Sequence, residues 1–275
     1  MKLILVPVAD RPECARALDT AFDIGRRVGA SVSGCHMRPH RYSDVSLSSA
    51  FADAAWRRKS TKTAPAAAKA LYQKAAEHHG YDMIRGGRIE PGALYAEKVG
   101  APHILMSILG PAHDLVVVSR PAKKGGVADM FVNAALLEST TPVLIMPQKG
   151  RKLVGKRVLI GWNQSAEVAR AVRASVPLLA AAEEVTLVSC GAEDRPGPKS
   201  AQIARYLAAY GVRVKRQKTR GRNVDAELMD TFRKTKADML VAGSYSRSRW
   251  REKVFGGTTE FLLNESNVPL LTLHG

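Results

Sequence analysis

Cysteine is scarce in this chain: three in 275 residues, and none of them (Cys14, Cys35, Cys190) stands at a CxxC or metal-ligand spacing. That excludes a disulfide framework and a zinc site and predicts buried or incidental thiols in a reducing cytoplasm. Long apolar runs are also missing, so no segment has the length of a membrane span and a membrane partner is excluded. The opening apolar stretch is broken at once by Asp10 and Arg11, without the cleavage site of a signal peptide, and residues 3–8 read as a first strand. Neither GxSxG, a Walker A loop nor HExxH occurs. The seven histidines, His36, His40, His78, His79, His103, His113 and His274, form no ligand spacing. The chain therefore reads as no enzyme, with no catalytic residue and no metal ligand to assign; slow ATP hydrolysis is left open.

Acidic residues are few beside basic ones, 25 against 42, for a formal net charge of +17. Such an excess favours anionic partners. The cations are spread over residues 57–59, 149–157, 215–222 and 247–253, and no zinc finger or RRM-like aromatic pair accompanies them. Two readings fit: a solvated basic surface with loose anionic contacts, or a nucleic-acid site. Any nucleic-acid affinity should be indifferent to sequence and fall steeply with salt.

What the chain does have is a repeat. HDLVVVSRPAKKGGVADMFVNAALLESTTPVLIMP near residue 113 returns as ADMLVAGSYSRSRWREKVFGGTTEFLLNESNVPLLTLHG at 237–275. In each copy an aspartate (Asp114, Asp238) precedes an apolar run, and Glu-Ser-x-x-Pro (Glu138 to Pro142, Glu265 to Pro269) leads into a last one. The heads agree as well, LILVPVADRPECARAL from Leu3 against RVLIGWNQSAEVARAV from Arg157, through a shared Ala-Arg-Ala. Two duplicated domains follow, 1–148 and 154–275, divided by the polar, basic stretch QKGRKLVGK.

Patterning in the second half predicts strands at 158–162, 185–190, 212–217, 239–242 and 270–273. Helices at 165–179, 199–210, 225–235 and 257–264 alternate with them. This is an α/β class with parallel strands and covering helices. The first half follows the same order but inserts a Ser-rich stretch between Met37 and Pro65, which reads as a lid, an extra helix or a mobile loop. The last apolar run of each copy has no following helix to cover its open edge, so the two runs are expected to associate and imitate a dimer. Open parallel sheets bind ligands at the carboxyl ends of their strands, which draws the loops after Gly161, Cys190 and Ala242 to one crevice.

Both halves resemble universal stress protein domains, and together they resemble the tandem form of that family. The likeness is strongest in VLIGWNQSAEVARAV and in ADMLVAGSYSRSRWREKVFGGTTEFLLNESNVPLL. It implies two Rossmann-like, flavodoxin-like α/β domains, each with a five-stranded, mainly parallel sheet flanked by helices. In the nucleotide-binding branch it also implies an ATP site, with an Asp after the first strand and a loop Gly-x-x-Gly, nine residues, Gly-Ser/Thr. On this sequence Gly243 matches the first glycine, Ser246 stands at the second, Gly256 matches the third and Gly257 replaces the hydroxyl residue; Thr258 and Thr259 follow. Asn163 stands in place of the aspartate and keeps a carbonyl acceptor for a ribose hydroxyl. A helix starting near Thr258 would aim its free N–H groups at a phosphate, with Arg247, Arg249 and Lys253 close in sequence. Trp162 and Trp250 could wall an adenine or pack in the core.

The bland alternative gives Gly243 a strand end, Gly256 and Gly257 a helix entry, and Asn163 a cap. In the first copy Ala9, Ser119 and Lys123-Lys124-Gly125-Gly126 do not restore the pattern, which implies a degenerate, scaffolding copy; Asp10, Arg11 and Arg120 read as solvated surface. The resemblance thus implies a cytoplasmic stress-response protein that binds ATP in its second domain and acts through nucleotide-tuned interactions. The alternative is an interaction protein that binds no nucleotide and meets acidic partners or nucleic acid through its basic surface. Protein partners, including a second copy of the chain as a homodimer, are left open.

Overall fold

The computed structural model describes residues 1–9, 11–38, 65–84, 91–120, 127–150, 153–243, 261–262 and 267–273. By its packing the chain divides into two compact units, Met1–Thr141 and Pro142–Gly275. The insert after Met37 falls almost wholly outside the described residues.

In the first unit β1 (Leu3–Pro7), α1 (Pro12–Val28), β2 (Ser31–Arg38), α2 (Pro65–His78), β3 (Ala93–Val99), α3 (Pro102–Leu109), β4 (Leu115–Ser119) and α4 (Val127–Glu138) follow one another. The strand order is β3-β2-β1-β4, all parallel. Strand β1 is a buried-type strand because it is central: Ile4 faces Val32 on one side and Leu115 on the other. Helix α1 starts on a proline, where the missing N–H costs nothing, and buries Cys14, Ala17, Leu18, Ala21 and Phe22 at helical spacing.

The second unit holds β5 (Val143–Met146), β6 (Arg157–Trp162), α5 (Ala166–Ala180), β7 (Glu184–Cys190), α6 (Ser200–Ala208), β8 (Val214–Thr219), α7 (Val224–Lys234), β9 (Met239–Val241) and β10 (Leu270–Thr272). Its strands run β5-β10-β9-β6-β7-β8. All pairings from β10 to β8 are parallel, and β5 joins antiparallel, Leu144 against Leu271. The two closing apolar runs therefore do associate. This pairing also moves the packing boundary: the sequence division at 148–154 follows the repeat, whereas β5 packs with the second unit because β10 completes its ladder. Of the helix expected over 257–264 only Phe261 and Leu262 are described, both helical. The strand expected over 212–217 begins two residues later, at Val214. One apolar cluster, Leu159, Val188, Leu228, Leu240, Leu262 and Leu270, ties α7 to the sheet.

The repeated aspartates have a structural task. Asp114 Oδ2 accepts from the backbone N–H of Lys2 at 2.5 Å and of Leu3 at 3.0 Å, at the start of β1. Asp238, buried, accepts from Gly155 at 2.7 Å, Lys156 at 3.2 Å and Arg157, at the start of β6. In each unit one carboxylate holds the entry of the central strand level with its neighbour. Partial burial works against the Asp114 charge, yet the amides of Lys2 and Leu3 keep its carboxyl below the ordinary value. Asp238→Ala should destabilise the protein by about 2–3 kcal/mol and Asp114→Ala by about 1 kcal/mol, because only the former strands buried donors. Urea unfolding of the two variants checks the ranking, and equal losses would refute it.

Candidate functional site

The carboxyl ends of the second unit's strands are where its chemistry-bearing loops gather. Strand β6 leads through Asn163, Gln164 and Ser165 into α5. Ser165 is the N-cap, its hydroxyl accepting from Val168 N–H at 3.3 Å. Asn163 is exposed, and its Oδ1 accepts from Ser165 N–H at 3.1 Å, closing an Asx-type turn. The capping role open to Asn163 in the sequence is thus filled in part. The side chain is exposed, and its amide NH2 donors make no hydrogen bond among the described residues.

Gly243, just past β9, meets the same helix start. A Cβ on Gly243 would lie 2.8 Å from the backbone nitrogen of Val168 and 3.2 Å from Cβ of Glu167, so only glycine lets the strand end approach the first turn of α5 this closely. Ala242 beside it is buried. Asn163 and Gly243 therefore flank the junction of β6 and β9, while the chain leaves β6 toward β7 on the opposite side. This is the topological switch point of the unit, the place where doubly wound sheets take ligands. The amides of Ala166 and Glu167 open the helix there with no carbonyl of the preceding turn to receive them.

Gly161 is not on the rim. It is half-buried within β6, and the space beside it is bounded by Leu228 of α7, 3.3 Å from where a Cβ would stand. Ser246, Gly256, Gly257, Thr258 and Thr259 lie outside the described residues, as do Arg247, Arg249, Trp250 and Lys253. Trp162 packs rather than lining an adenine pocket: it is buried, and its indole N–H donates to the Pro198 carbonyl at 3.0 Å.

That last bond belongs to a feature the sequence did not announce. Gln164 is buried with a left-handed backbone, φ 62°. Its Nε2 donates to the carbonyls of Arg195 and Gly197 at 2.9 and 3.1 Å, and its Oε1 accepts from Arg195 N–H at 3.1 Å. Together with Trp162 it staples the loop after β7 over the end of β6. Gly197, φ 146°, is needed there because a Cβ would fall 2.1 Å from the Gln164 carbonyl oxygen. The Gly-Pro-rich run DRPGPKS at 194–200 was the available signal. Glu193 closes the loop's base: its carboxylate accepts from the Ser189 hydroxyl at 2.6 Å and Ser200 N–H at 3.1 Å. Burial opposes its charge, and these donors hold it below the usual carboxylate range. Beyond β8, the Thr219 hydroxyl and the amides of Gly221, Arg222 and Asn223 hold the Glu227 carboxyl at about 2.

In the first unit the corresponding ends are filled differently. Ala9 is buried, its N–H donating to Cys14 Sγ at 3.3 Å, and Ser119 brings a side chain to the position Gly243 holds in the repeat. Arg120, expected as solvated surface, is instead 8% exposed, and burial pushes its guanidinium down to about 10.

The second unit is thus a doubly wound α/β unit with a narrow, glycine-lined switch point. Residues 166–274 match the model of the Universal stress protein family. A universal stress protein from Archaeoglobus fulgidus DSM 4304 shares the fold with a TM-score of 0.67 at 17% identity, over 98% of this chain and 97% of its own. A putative universal stress protein from Pseudomonas aeruginosa UCBPP-PA14 gives 0.58 at 16% identity, over 100% and 93%. A functionally unknown protein from Pseudomonas aeruginosa PAO1 gives 0.59 at 15%, over 100% and 92%. No curated protein matches the sequence. The second unit matches the universal stress protein family in sequence, and the full-length likeness to these structures is one of fold. Among the described residues no helix is long and apolar enough to cross a membrane.

Gln164→Ala removes three hydrogen bonds and leaves backbone groups of the 195–197 loop without partners, so it should cost about 2–3 kcal/mol. Gly197→Ala should cost at least as much through its clash. Proteolytic cutting within 191–199 should rise in both variants; unchanged stability and cutting would show that the staple holds nothing.

Proposed function

We propose that the second unit binds an adenine nucleotide, ATP, at the β6/β9 switch point, and that occupancy tunes the protein's interactions in a stress response. The observation that carries this is the meeting of Gly243 with the first turn of α5 beside Asn163. A strand end with no side chain, open helix amides and an exposed carboxamide supply close backbone approach, N–H donors and a ribose partner at one place. Ser246, Gly256, Gly257, Thr258 and Thr259 would complete the phosphate loop. The site would hold the nucleotide without hydrolysing it, since no base and stabiliser pair accompanies these residues in the sequence. The first unit, with Ser119 in the glycine's place, would serve as scaffold.

The protein as purified, once denatured, should release an adenine nucleotide detectable by chromatography. In calorimetric titration with ATP, Asn163→Ala should bind about five- to tenfold more weakly, the worth of one lost hydrogen bond. Ser119→Val in the first unit should leave affinity unchanged. Absence of ATP binding by the parent protein, or equal loss in both variants, would refute the proposal.

A further inference from the structure

We propose that the free edge of the second unit's sheet, strand β8 with its flanking residues, is a docking surface for single-stranded nucleic acid, held through its phosphates without regard to sequence. Strand β8 ends the strand order and, among the described residues, is paired on one side only, by β7. The run 213–222, RVKRQKTRGR, carries six cations and no acid. All six, Arg213, Lys215, Arg216, Lys218, Arg220 and Arg222, are exposed. Lys215 reaches Glu184 at 3.0 Å, and Lys218 lends its charge to Glu193. The four arginines make no ion pair among the described residues.

Edge strands commonly carry a lysine to deter pairing with another sheet. Here the charge exceeds that need in two ways. It extends beyond the ladder at both ends, to Arg213 and to Arg220 and Arg222, where there is no strand edge to protect. It is also mostly arginine, whose planar fork matches phosphate oxygens in pairs. Because side chains alternate, Lys215 lies on one face of the strand and Arg216 and Lys218 on the other, so cations line both sides of a single track.

A second observation selects the partner. Tyr210 lies at the end of α6, three residues before Arg213, and is 52% exposed; its ring sits 5.1 Å from that of Tyr206, tilted by 58°. Tyr210 stands in the turn that joins α6 to β8, so the exposed ring lies at the entry of the cationic run. An aromatic face next to a phosphate track is the arrangement on which unpaired bases stack. A duplex hides its base faces, and an acidic peptide has no use for the ring.

Fluorescence anisotropy with labelled oligothymidylate and an unrelated mixed-sequence single strand tests this, between about 50 and about 200 mM salt. Both strands should bind alike and weaken steeply with salt. Arg216→Glu with Lys218→Glu should raise Kd more than about tenfold and flatten the salt slope. Arg220→Gln with Arg222→Gln, outside the ladder and so harmless to the sheet, should act in the same direction. Tyr210→Ala should raise Kd about fivefold or more while leaving the salt slope in place. Lys69→Glu with Lys74→Glu on α2 changes the net charge equally and should have little effect. An equal loss in that control would assign the binding to net charge alone and overturn the proposal. So would binding of duplex or polyglutamate as tight as that of the single strand, or no binding at all.

Discussion

In each unit a single carboxylate fixes where the central strand begins. Asp238 gathers the amides of residues 155–157, and Asp114 those of residues 2 and 3, each one residue ahead of the neighbouring strand. In a parallel sheet this sets the register, and a slip of one residue would turn every side chain to the other face. With Val158 held opposite Met239, the strands β6 and β9 run out together, and Asn163 and Gly243 arrive at the same end of the sheet. The site is thus a consequence of a clamp at the opposite end of the same two strands.

Duplication has left the clamp intact and let the ends diverge. Where Gly243 admits the helix start, Ser119 brings a side chain, and where Asn163 is exposed, Ala9 is buried against Cys14. The framework of the fold tolerates either filling because it depends on the strand entries. The closing strands add a second consequence of repetition: β5 and β10 satisfy each other's edges, so a strand that the sequence assigns to the first copy packs with the second unit.

Much of this was legible because it is periodic. Alternating apolar runs and helical spacing located the described strands and the helices α5, α6 and α7 of the second half to within about two residues, and the repeated aspartates were visible before their amides were. The staple built by Gln164 and Trp162 was not legible, since it joins residues about 30 positions apart through a left-handed backbone that no local pattern specifies. The burial of Arg120 was missed for a related reason: a charged residue after a strand reads as solvated, and nothing local in the sequence marks this one as covered. Of the candidate site, Gly243 lies against the first turn of α5 and Asn163 just ahead of that turn, whereas the space beside Gly161 is bounded by Leu228 of α7.

The central claim is that nucleotide sits at the second unit's switch point, against the start of α5. Amide hydrogen exchange with and without ATP tests it most directly, because the amides concerned are themselves the donors. The account predicts slowed exchange in residues 163–168, with the equivalent residues 9–14 of the first unit unchanged. Protection confined to 9–14, or none in either segment at saturating ATP, would contradict it.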